Sequence, residues 1–461
     1  MRRLLLALAT LFSVALSLVP TAARAAYTPG TYTGTMTDGA TYKIEAPTGW
    51  NGTLVLYSHG YSSTSSTEPP LDAGDAATGA WLLGHGYALA ASSYATTGWA
   101  LEQAFPDQMA VLDLFQSTVH AAPTRTIAWG HSLGGMITAG LVQLHPDRFD
   151  GALPMCGVVG GGVGAWNQGL DAAFAFKTLL AAAPTALNTS PVQLVHITNP
   201  FGSLGAALGV LNQAQATPQG RARLALAAAL GDVPGWYAPG SAEPDPTDFA
   251  AREHNQFLWD TNPDFFFLFA ARAELEARAR GNVSWNTGVN YKVQLGHSIN
   301  QDEVVGLYAA AGLDLDQDLQ TLQNATRIAA DPGAVEYLES NIVYNGELGL
   351  PVLTMHTTGD GLVTPNNEQA YASTVRSAGD NQLLREVFVH RAGHCTFTPA
   401  ETIAAFQTLV HRLDSGQWRD STDPDLMNGE AAALGTLNYA PPSFIQYQPP
   451  QFLRPFDAGD I

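Results

Sequence analysis

Gly130-His131-Ser132-Leu133-Gly134 is the stretch of sequence that decides the fold. It directly follows an apolar run and precedes a helical pattern, which predicts a turn from a strand into a helix. Glycines on both sides of the serine allow a turn tight enough to push the hydroxyl group out at the edge of a sheet. The turn also leaves the next backbone N–H free to bind an oxyanion. The motif therefore predicts a nucleophilic serine, with a plain glycine-rich turn as the simpler alternative.

Short apolar runs rich in β-forming residues recur along the chain. In chain order they are residues 53–57, 87–92, 124–129, 151–155, 351–356 and 384–389. Helical patterns accompany them at residues 78–84, 104–119 and 399–413. Buried strands separated by helices predict an α/β fold, in which helices cover both faces of a mainly parallel sheet.

This alternation stops between about residues 160 and 348, where Ala-rich helical stretches, Pro/Gly turns and an aromatic patch replace it. We expect one sheet domain formed by residues 26–160 and 345–461. A large, mostly helical insertion, residues 161–344, interrupts it and is called the cap segment below. Two consecutive domains are the alternative, which is less favoured because the late strands would then lack a sheet to join.

These features resemble the α/β-hydrolase superfamily, and within it the secreted esterase- and lipase-like serine hydrolases. The resemblance covers about residues 40–160 and 345–415 and leaves the cap segment outside. It implies an α/β-hydrolase sheet and a catalytic triad in the chain order Ser, acid, His.

The two late strands end in residues that fit the remaining triad positions. Asp360 lies between glycines just past one strand and matches the acid loop, although it could instead only cap the turn. His394 follows a glycine just past the next strand, whereas His390 still belongs to the strand end. A serine nucleophile needs a base within hydrogen-bond reach, and the base needs an acid to orient it. We therefore predict the triad Ser132, Asp360 and His394.

The oxyanion hole is expected from two backbone N–H groups. The loop after the first strand of the resemblance, His59-Gly60-Tyr61, is similar to the superfamily's His-Gly-x segment. The resemblance implies that the N–H of Tyr61 acts together with that of Leu133. His59 itself is interpreted as a residue that braces the loop.

The chain has two cysteines, Cys156 and Cys395. In the fold implied here, the strand end at Cys156 and the loop of His394 lie at the same edge of the sheet. A disulfide between the two is therefore expected outside the cytoplasm, where it would hold the His loop. Two free buried thiols are the alternative. Many relatives place the partner cysteine beside the nucleophile, where this chain has His131.

The first residues predict a secreted bacterial protein. Arg2 and Arg3 precede an apolar run at residues 4–18, and small residues around Ala25 suit signal-peptidase cleavage. We predict a signal peptide at residues 1–25. A membrane anchor is the alternative, but the apolar run is short for a span.

Charge and motifs limit the partners. The 461 residues carry a formal net charge of −20, which disfavours binding to nucleic acid or to an anionic membrane. No later segment predicts a membrane span. Without zinc spacing, a phosphate-cradling loop or a dinucleotide fingerprint, we expect no metal and no cofactor. The sequence makes no prediction of the oligomeric state.

The expected activity is hydrolysis of a small- to medium-sized organic ester through an acyl-enzyme. Candidate pocket-lining residues are His131, Tyr94, Trp99 and Trp166, although aromatic residues of a cap more often form its own core.

Amide or peptide hydrolysis by the same triad is the alternative. An exopeptidase needs acidic groups for the amine of its substrate, and Glu253, Asp260 and Asp264 of the cap segment are candidates that the sequence cannot place. A catalytically silent binding protein on this fold is a third interpretation.

Overall fold

A computed structural model describes residues 27–63, 70–181 and 192–454 of the chain. A nine-stranded sheet lies at its centre, in the order β1-β2-β4-β3-β5-β6-β7-β8-β9. The strands are β1 Gly30–Thr35, β2 Thr41–Ala46, β3 Thr53–Ser58, β4 Ala88–Ser92, β5 Arg125–His131, β6 Gly151–Met155, β7 Val352–Gly359, β8 Leu384–Ala392 and β9 Phe444–Ile445.

Strands β3 to β8 form a parallel array in the order β4-β3-β5-β6-β7-β8. The residues of β3, β4 and β6 are buried throughout because helices cover both faces of the sheet. Parallel strands present their carboxyl ends at the same edge, so the turns after β5, β7 and β8 meet there. The predicted α/β fold is confirmed.

Three strands at the margins were not predicted from the sequence. β1 and β2 pair in antiparallel fashion and extend the sheet beyond β4, while β9 adds a short antiparallel strand to β8. Residues of β1 are exposed or partly buried, with Thr, Gly and Tyr dominant, and those of β2 are partly buried or buried. Such strands lack the continuous apolar run by which the central strands are recognised.

Fifteen α-helices accompany the sheet in the described ranges. Before β7 and outside the cap segment they are α1 Ala76–Gly84, α2 Leu101–Val119 and α3 Leu133–Leu144. In the cap segment they are α4 Gly162–Phe176, α5 Pro200–Gln215, α6 Pro218–Leu230, α7 Phe249–Trp259, α8 Arg272–Ala279, α9 Tyr291–Leu295, α10 Gln301–Ala311, α11 Leu315–Asn324 and α12 Pro332–Asn341. After β7 they are α13 Asn366–Ala378, α14 Pro399–Ser415 and α15 Pro424–Ala433.

The cap segment joins the chain between β6 and β7, and its described residues contain no strand. Its helices α5, α6, α9 and α10 contribute to a separate apolar cluster. Its helices α4, α8 and α12 also contribute to the core on one face of the sheet, through side chains such as Trp166, Leu275 and Leu338. The cap segment therefore has an interior of its own and also packs directly over the sheet.

The predicted signal peptide, residues 1–25, lies outside the described residues. Within the described ranges, no helix has the length and apolar character needed to cross a membrane. Secretion of the protein stays a prediction.

Candidate active site

Ser132 occupies a sharp turn between β5 and α3. Its backbone has φ 59° and ψ −125°, a conformation that costs a non-glycine residue about 1–3 kcal/mol. Glycine is required on both sides, because a Cβ on Gly130 would lie 2.3 Å from the carbonyl oxygen of Gly134, and a Cβ on Gly134 would lie 2.0 Å from that of Ser58. The surrounding strands hold the strained serine in place through its N–H, which donates to the carbonyl of Met155 at 2.9 Å.

Ser132, His394 and Asp360 form a continuous hydrogen-bonded chain. The Oγ of Ser132 lies 2.8 Å from the Nε2 of His394, and the Nδ1 of His394 lies 2.7 Å from Oδ2 of Asp360. Because the carboxylate can only accept, Nδ1–H donates to it and leaves Nε2 free to accept the serine proton. The structure thus brings together the three residues that the sequence singles out as a triad. His394 lies 262 positions after Ser132 and 34 positions after Asp360 in the sequence.

Asp360 is held as an ionised, fully buried carboxylate. Its Oδ1 accepts the backbone N–H groups of Leu362 and Val363 at 3.1 and 3.0 Å. Burial alone would raise the pKa of this carboxyl, but the neighbouring rings of His394 and His356 lower the pKa below its ordinary value. The carboxylate can therefore orient His394 and stabilise its positive charge during proton transfer.

His356 was not recognised as a site residue from the sequence, because nothing in its strand marks it as lying beside the acid. Its buried ring lies on β7, with Nε2 3.5 Å from Oδ2 of Asp360 and 2.7 Å from the carbonyl of Val363. Its Nδ1 lies 2.8 Å from Oε1 of Glu368, which is also buried. Burial would lower the pKa of this ring, but the two carboxylates raise it to about 10. His356 therefore places a positive charge behind the triad acid.

Replacing His356 with Gln should move the acid limb of the pH profile of kcat/KM to higher pH. The substitution keeps a donor for the Val363 carbonyl but removes the positive charge that helps to hold the pKa of Asp360 below its ordinary value, so that pKa should rise. Loss of one neighbouring opposite charge typically changes a pKa by about 1–3 units. A shift of the acid limb by about one unit is expected.

The exposed His390, on the neighbouring strand β8, provides the matched control, and His390→Gln should leave the limb in place. A drop in kcat/KM that is equal at every pH in His356→Gln would mean that His356 only supports the structure.

The charge of His356 also contributes to stability. Because its folded-state pKa is above its unfolded value, that contribution is complete below about pH 6.5 and is lost as pH rises through about 10.

The predicted disulfide between Cys156 and Cys395 is present, with the two Cα atoms 5.4 Å apart. Cys156 follows β6, and Cys395 directly follows His394. Both residues have positive φ, 44° and 56°. The bridge therefore ties the turn that carries the histidine to the centre of the sheet, across 239 positions of the chain.

The acid loop and the His loop are also joined directly. The N–H of Gly393 donates to the carbonyl of Gly359 at 3.0 Å, and the hydroxyl of Thr357 donates to the carbonyl of Gly393 at 2.7 Å. These contacts hold Gly393, directly before His394, and the disulfide holds Cys395, directly after it, so His394 is restrained at both of its neighbours.

Tyr61 and Leu133 line one cavity together with Ser132. Leu133 begins α3, so its N–H has no acceptor within the helix. Gly60 lies against the nucleophile, since a Cβ there would be 3.2 Å from the Cβ of Ser132. His59 has both ring nitrogens near backbone carbonyls, of Gly60 and Ser93, and burial lowers its pKa. This environment fits a ring that braces the loop.

A cavity of about 120 Å³ opens above Ser132, between the sheet edge and the cap segment. Its wall is mostly apolar and includes Trp99 and Trp166, two of the four predicted pocket-lining residues. His131 and Tyr94 are absent from the wall. Because neighbouring residues of a strand point to opposite faces, the ring of His131 turns away from the site and packs near Tyr57.

Tyr94 differs from the prediction for another reason. Its ring stacks on that of His59 with centroids 4.0 Å apart, and its hydroxyl donates to the His59 carbonyl at 3.1 Å. Tyr94 therefore packs against the loop after β3 and does not line the cavity.

The three acidic residues of the cap segment separate into two groups. Asp260 and Asp264 line the cavity, in a π-helical turn that follows α7. Glu253 is absent from the wall and accepts a hydrogen bond from the Gln215 amide at 3.2 Å. Among the described residues, no group of three His, Cys, Asp or Glu side chains is placed to hold a metal ion.

Comparisons with known proteins agree with this architecture. Residues 91–161, which contain the nucleophile turn, match the model of the prolyl oligopeptidase family. Over 432 residues the chain is 30% identical to an o-phthalyl amidase from Xanthobacter agilis, covering 87% of this chain and 91% of that protein.

Solved structures with lower identity are also similar. Feruloyl esterase B from Aspergillus oryzae matches with a TM-score of 0.39 at 13% identity, over 84% of this chain and 80% of that one. The acylaminoacyl peptidase of Pyrococcus horikoshii matches with a TM-score of 0.36 at 9% identity. The alignment covers 84% of this chain but only 41% of the peptidase.

The match to the amidase extends over nearly the whole length of both proteins, and the described residues form the mainly parallel sheet and the nucleophile turn expected from the sequence. The chain belongs to the α/β-hydrolase superfamily of serine hydrolases, in the family that includes the o-phthalyl amidase of Xanthobacter agilis.

Proposed function

We propose that the protein hydrolyses carboxamide bonds of small organic molecules, and the corresponding esters, through an acyl-enzyme on Ser132. The observation that carries this proposal is the unbroken hydrogen-bonded chain from Ser132 through His394 to Asp360, which ends at an apolar cavity. The likeness to an amidase over most of the chain favours the amide, whereas the sequence alone favoured the ester.

In the proposed first step, Oγ of Ser132 attacks the substrate carbonyl carbon while its proton passes to Nε2 of His394. The carbonyl oxygen becomes an oxyanion, which the N–H groups of Tyr61 and Leu133 stabilise. His394 then gives the same proton to the leaving nitrogen or oxygen as the bond to the acyl carbon breaks. A neutral amine leaves, and the acyl group remains on Ser132.

In the second step, a water molecule loses a proton to His394 and attacks the acyl carbon. The tetrahedral intermediate collapses, Ser132 recovers its proton from His394, and the carboxylic acid is released. An ester follows the same path with an alcohol as leaving group. Since an alcohol leaves more readily than an amine, an enzyme built to protonate a leaving nitrogen is expected to cleave esters as well.

The cavity supports a small acyl or amine group rather than a polymer. Its wall contains Tyr61, Trp99, Trp166 and Phe267, whose flat faces suit an aromatic or short aliphatic group. The cap segment covers the sheet edge that a long polymer would have to cross.

Matched substrates with the same acyl group test the proposal. Benzoyl 4-nitroanilide should be compared with 4-nitrophenyl benzoate, and butanoyl 4-nitroanilide with 4-nitrophenyl butanoate. We expect turnover of both members of at least one pair, with the larger kcat/KM for the ester. Turnover of the ester without measurable turnover of its anilide would restrict the activity to esters. No turnover of any member would contradict the proposal.

A further inference from the structure

Two buried carboxyl groups line the cavity without any visible partner. Asp260 and Asp264 are 8% and 7% exposed, yet both are part of the cavity wall that contains Ser132. Neither side chain makes a hydrogen bond or an ion pair within the described residues, and both oxygens of Asp264 are buried and unpaired. A buried polar group left unpaired costs about 1–3 kcal/mol, so a protein retains one only where something compensates.

The surroundings make these carboxyl groups costly to ionise. Burial, with a contribution from Glu253, raises the pKa of Asp260 to about 8. Burial, together with the charges of Asp260 and Asp360, raises the pKa of Asp264 well above its ordinary value. Opposite charge brought next to such a group favours its ionised form. A positively charged ligand beside the pair would therefore offset the free-energy cost of ionising these carboxyl groups.

The protein does not supply that charge itself. No Lys or Arg is among the described residues that line the cavity. The polar wall residue Gln168 is engaged elsewhere, since its amide donates to the carbonyl of Gly231 and to the hydroxyl of Thr364. The indole N–H groups of Trp99 and Trp166 are also unpaired, but they are neutral donors and add no charge.

We propose that Asp260 and Asp264 form a subsite for a positively charged amine on the substrate, within the same cavity in which Ser132 attacks the scissile bond. This inference rests on the proposed function. It assigns this chain a cationic amide or ester, and it disfavours a substrate with a free carboxylate at the same position, such as a phthalyl group. The formal net charge of −20 also attracts cations toward the cavity from a distance.

Three 4-nitroanilides of matched length test the charge preference: 4-aminobutanoyl, pentanoyl and glutaryl, which carry an ammonium, a methyl and a carboxylate at the same end. A longer set, 6-aminohexanoyl, heptanoyl and pimeloyl, covers a larger distance from Ser132. The corresponding 4-nitrophenyl esters are run in parallel, each corrected for uncatalysed hydrolysis. In at least one set, the ammonium member should have a kcat/KM about tenfold to hundredfold above the neutral member, with the carboxylate member lowest.

The variants Asp260→Asn and Asp264→Asn keep the size of each side chain and remove its charge. Each should reduce the ratio of kcat/KM for the ammonium and neutral substrates by about tenfold or more. Because the ratio is measured within one variant, a change in folded fraction cancels. Asp302→Asn, at an exposed position of α10, is the matched control and should leave the ratio unchanged.

The outcomes separate the two proposals. If no substrate of either set is turned over and the benzoyl and butanoyl pairs are also inert, the proposed function fails. The proposed function stands and the amine subsite is wrong in any of three cases: the neutral members are turned over as fast as the ammonium members, neither Asn variant lowers the ratio, or only the benzoyl or butanoyl pairs are turned over.

Discussion

Replacing Ser132 with Ala should lower kcat for esters and anilides by about 10⁴-fold or more. The Oγ of this residue is the group that His394 can deprotonate at 2.8 Å, and alanine leaves the base with nothing to activate except water. The same variant should lose covalent labelling by a fluorophosphonate probe, which reacts with an activated serine. Thermal unfolding should change little, because Ala can occupy the turn at no greater strain than Ser.

The exposed Ser377, near the end of α13, provides the matched control. Ser377→Ala should keep full labelling and full turnover. Adding His394→Ala to Ser132→Ala should cost little more, because the two residues act as one unit and their effects are not additive. Labelling that survives in Ser132→Ala would place the nucleophile elsewhere and contradict the assigned triad.

Removing the disulfide should have the largest effect on stability. The double variant Cys156→Ala/Cys395→Ala should lose about 2–5 kcal/mol of unfolding free energy, because the bridge closes a loop spanning 239 positions and so restricts the unfolded chain. Activity should fall as well, since Cys395 is adjacent to His394. Denaturant unfolding of the variant and of the wild-type protein measures the loss.

Reduced wild-type protein is the control for side effects of the substitutions. Under a thiol reductant that breaks the bridge, wild type should approach the stability and the kcat/KM of the double variant, and the double variant should not respond. A double variant as stable and as active as the oxidised wild type would show that the other contacts of the His loop suffice. The hydrogen bonds from Gly393 and Thr357 would then hold the loop alone.

The parts of the fold that could be predicted from the sequence are those with strong local signals. The six central strands were placed within a few residues, because continuous apolar runs bounded by turns identify buried strands. Ser132, Asp360 and His394 were predicted together because each lies just past a strand and within two positions of a glycine. The Cys pairing followed from the same topology.

The remaining features depend on contacts between distant segments. The packing of the cap segment decides which of its acidic residues face the cavity. Asp260 and Asp264 line it and Glu253 does not, and no local sequence pattern records this packing. His356 looks like any residue of a buried strand until Glu368 and Asp360 are seen on its two sides. His131 and Tyr94 were misplaced because adjacency in sequence to the site does not determine the face on which a side chain lies.

The disulfide also has an architectural consequence. Cys156 precedes the cap segment and Cys395 follows it, so the bridge closes a covalent ring that contains the whole cap segment together with Asp360 and His394. The proposed catalytic acid and base therefore lie in the same covalently closed loop as the cap segment, which contributes to the substrate cavity. The nucleophile turn lies outside this ring, so only packing, and no covalent link within the ring, holds it against the cap segment.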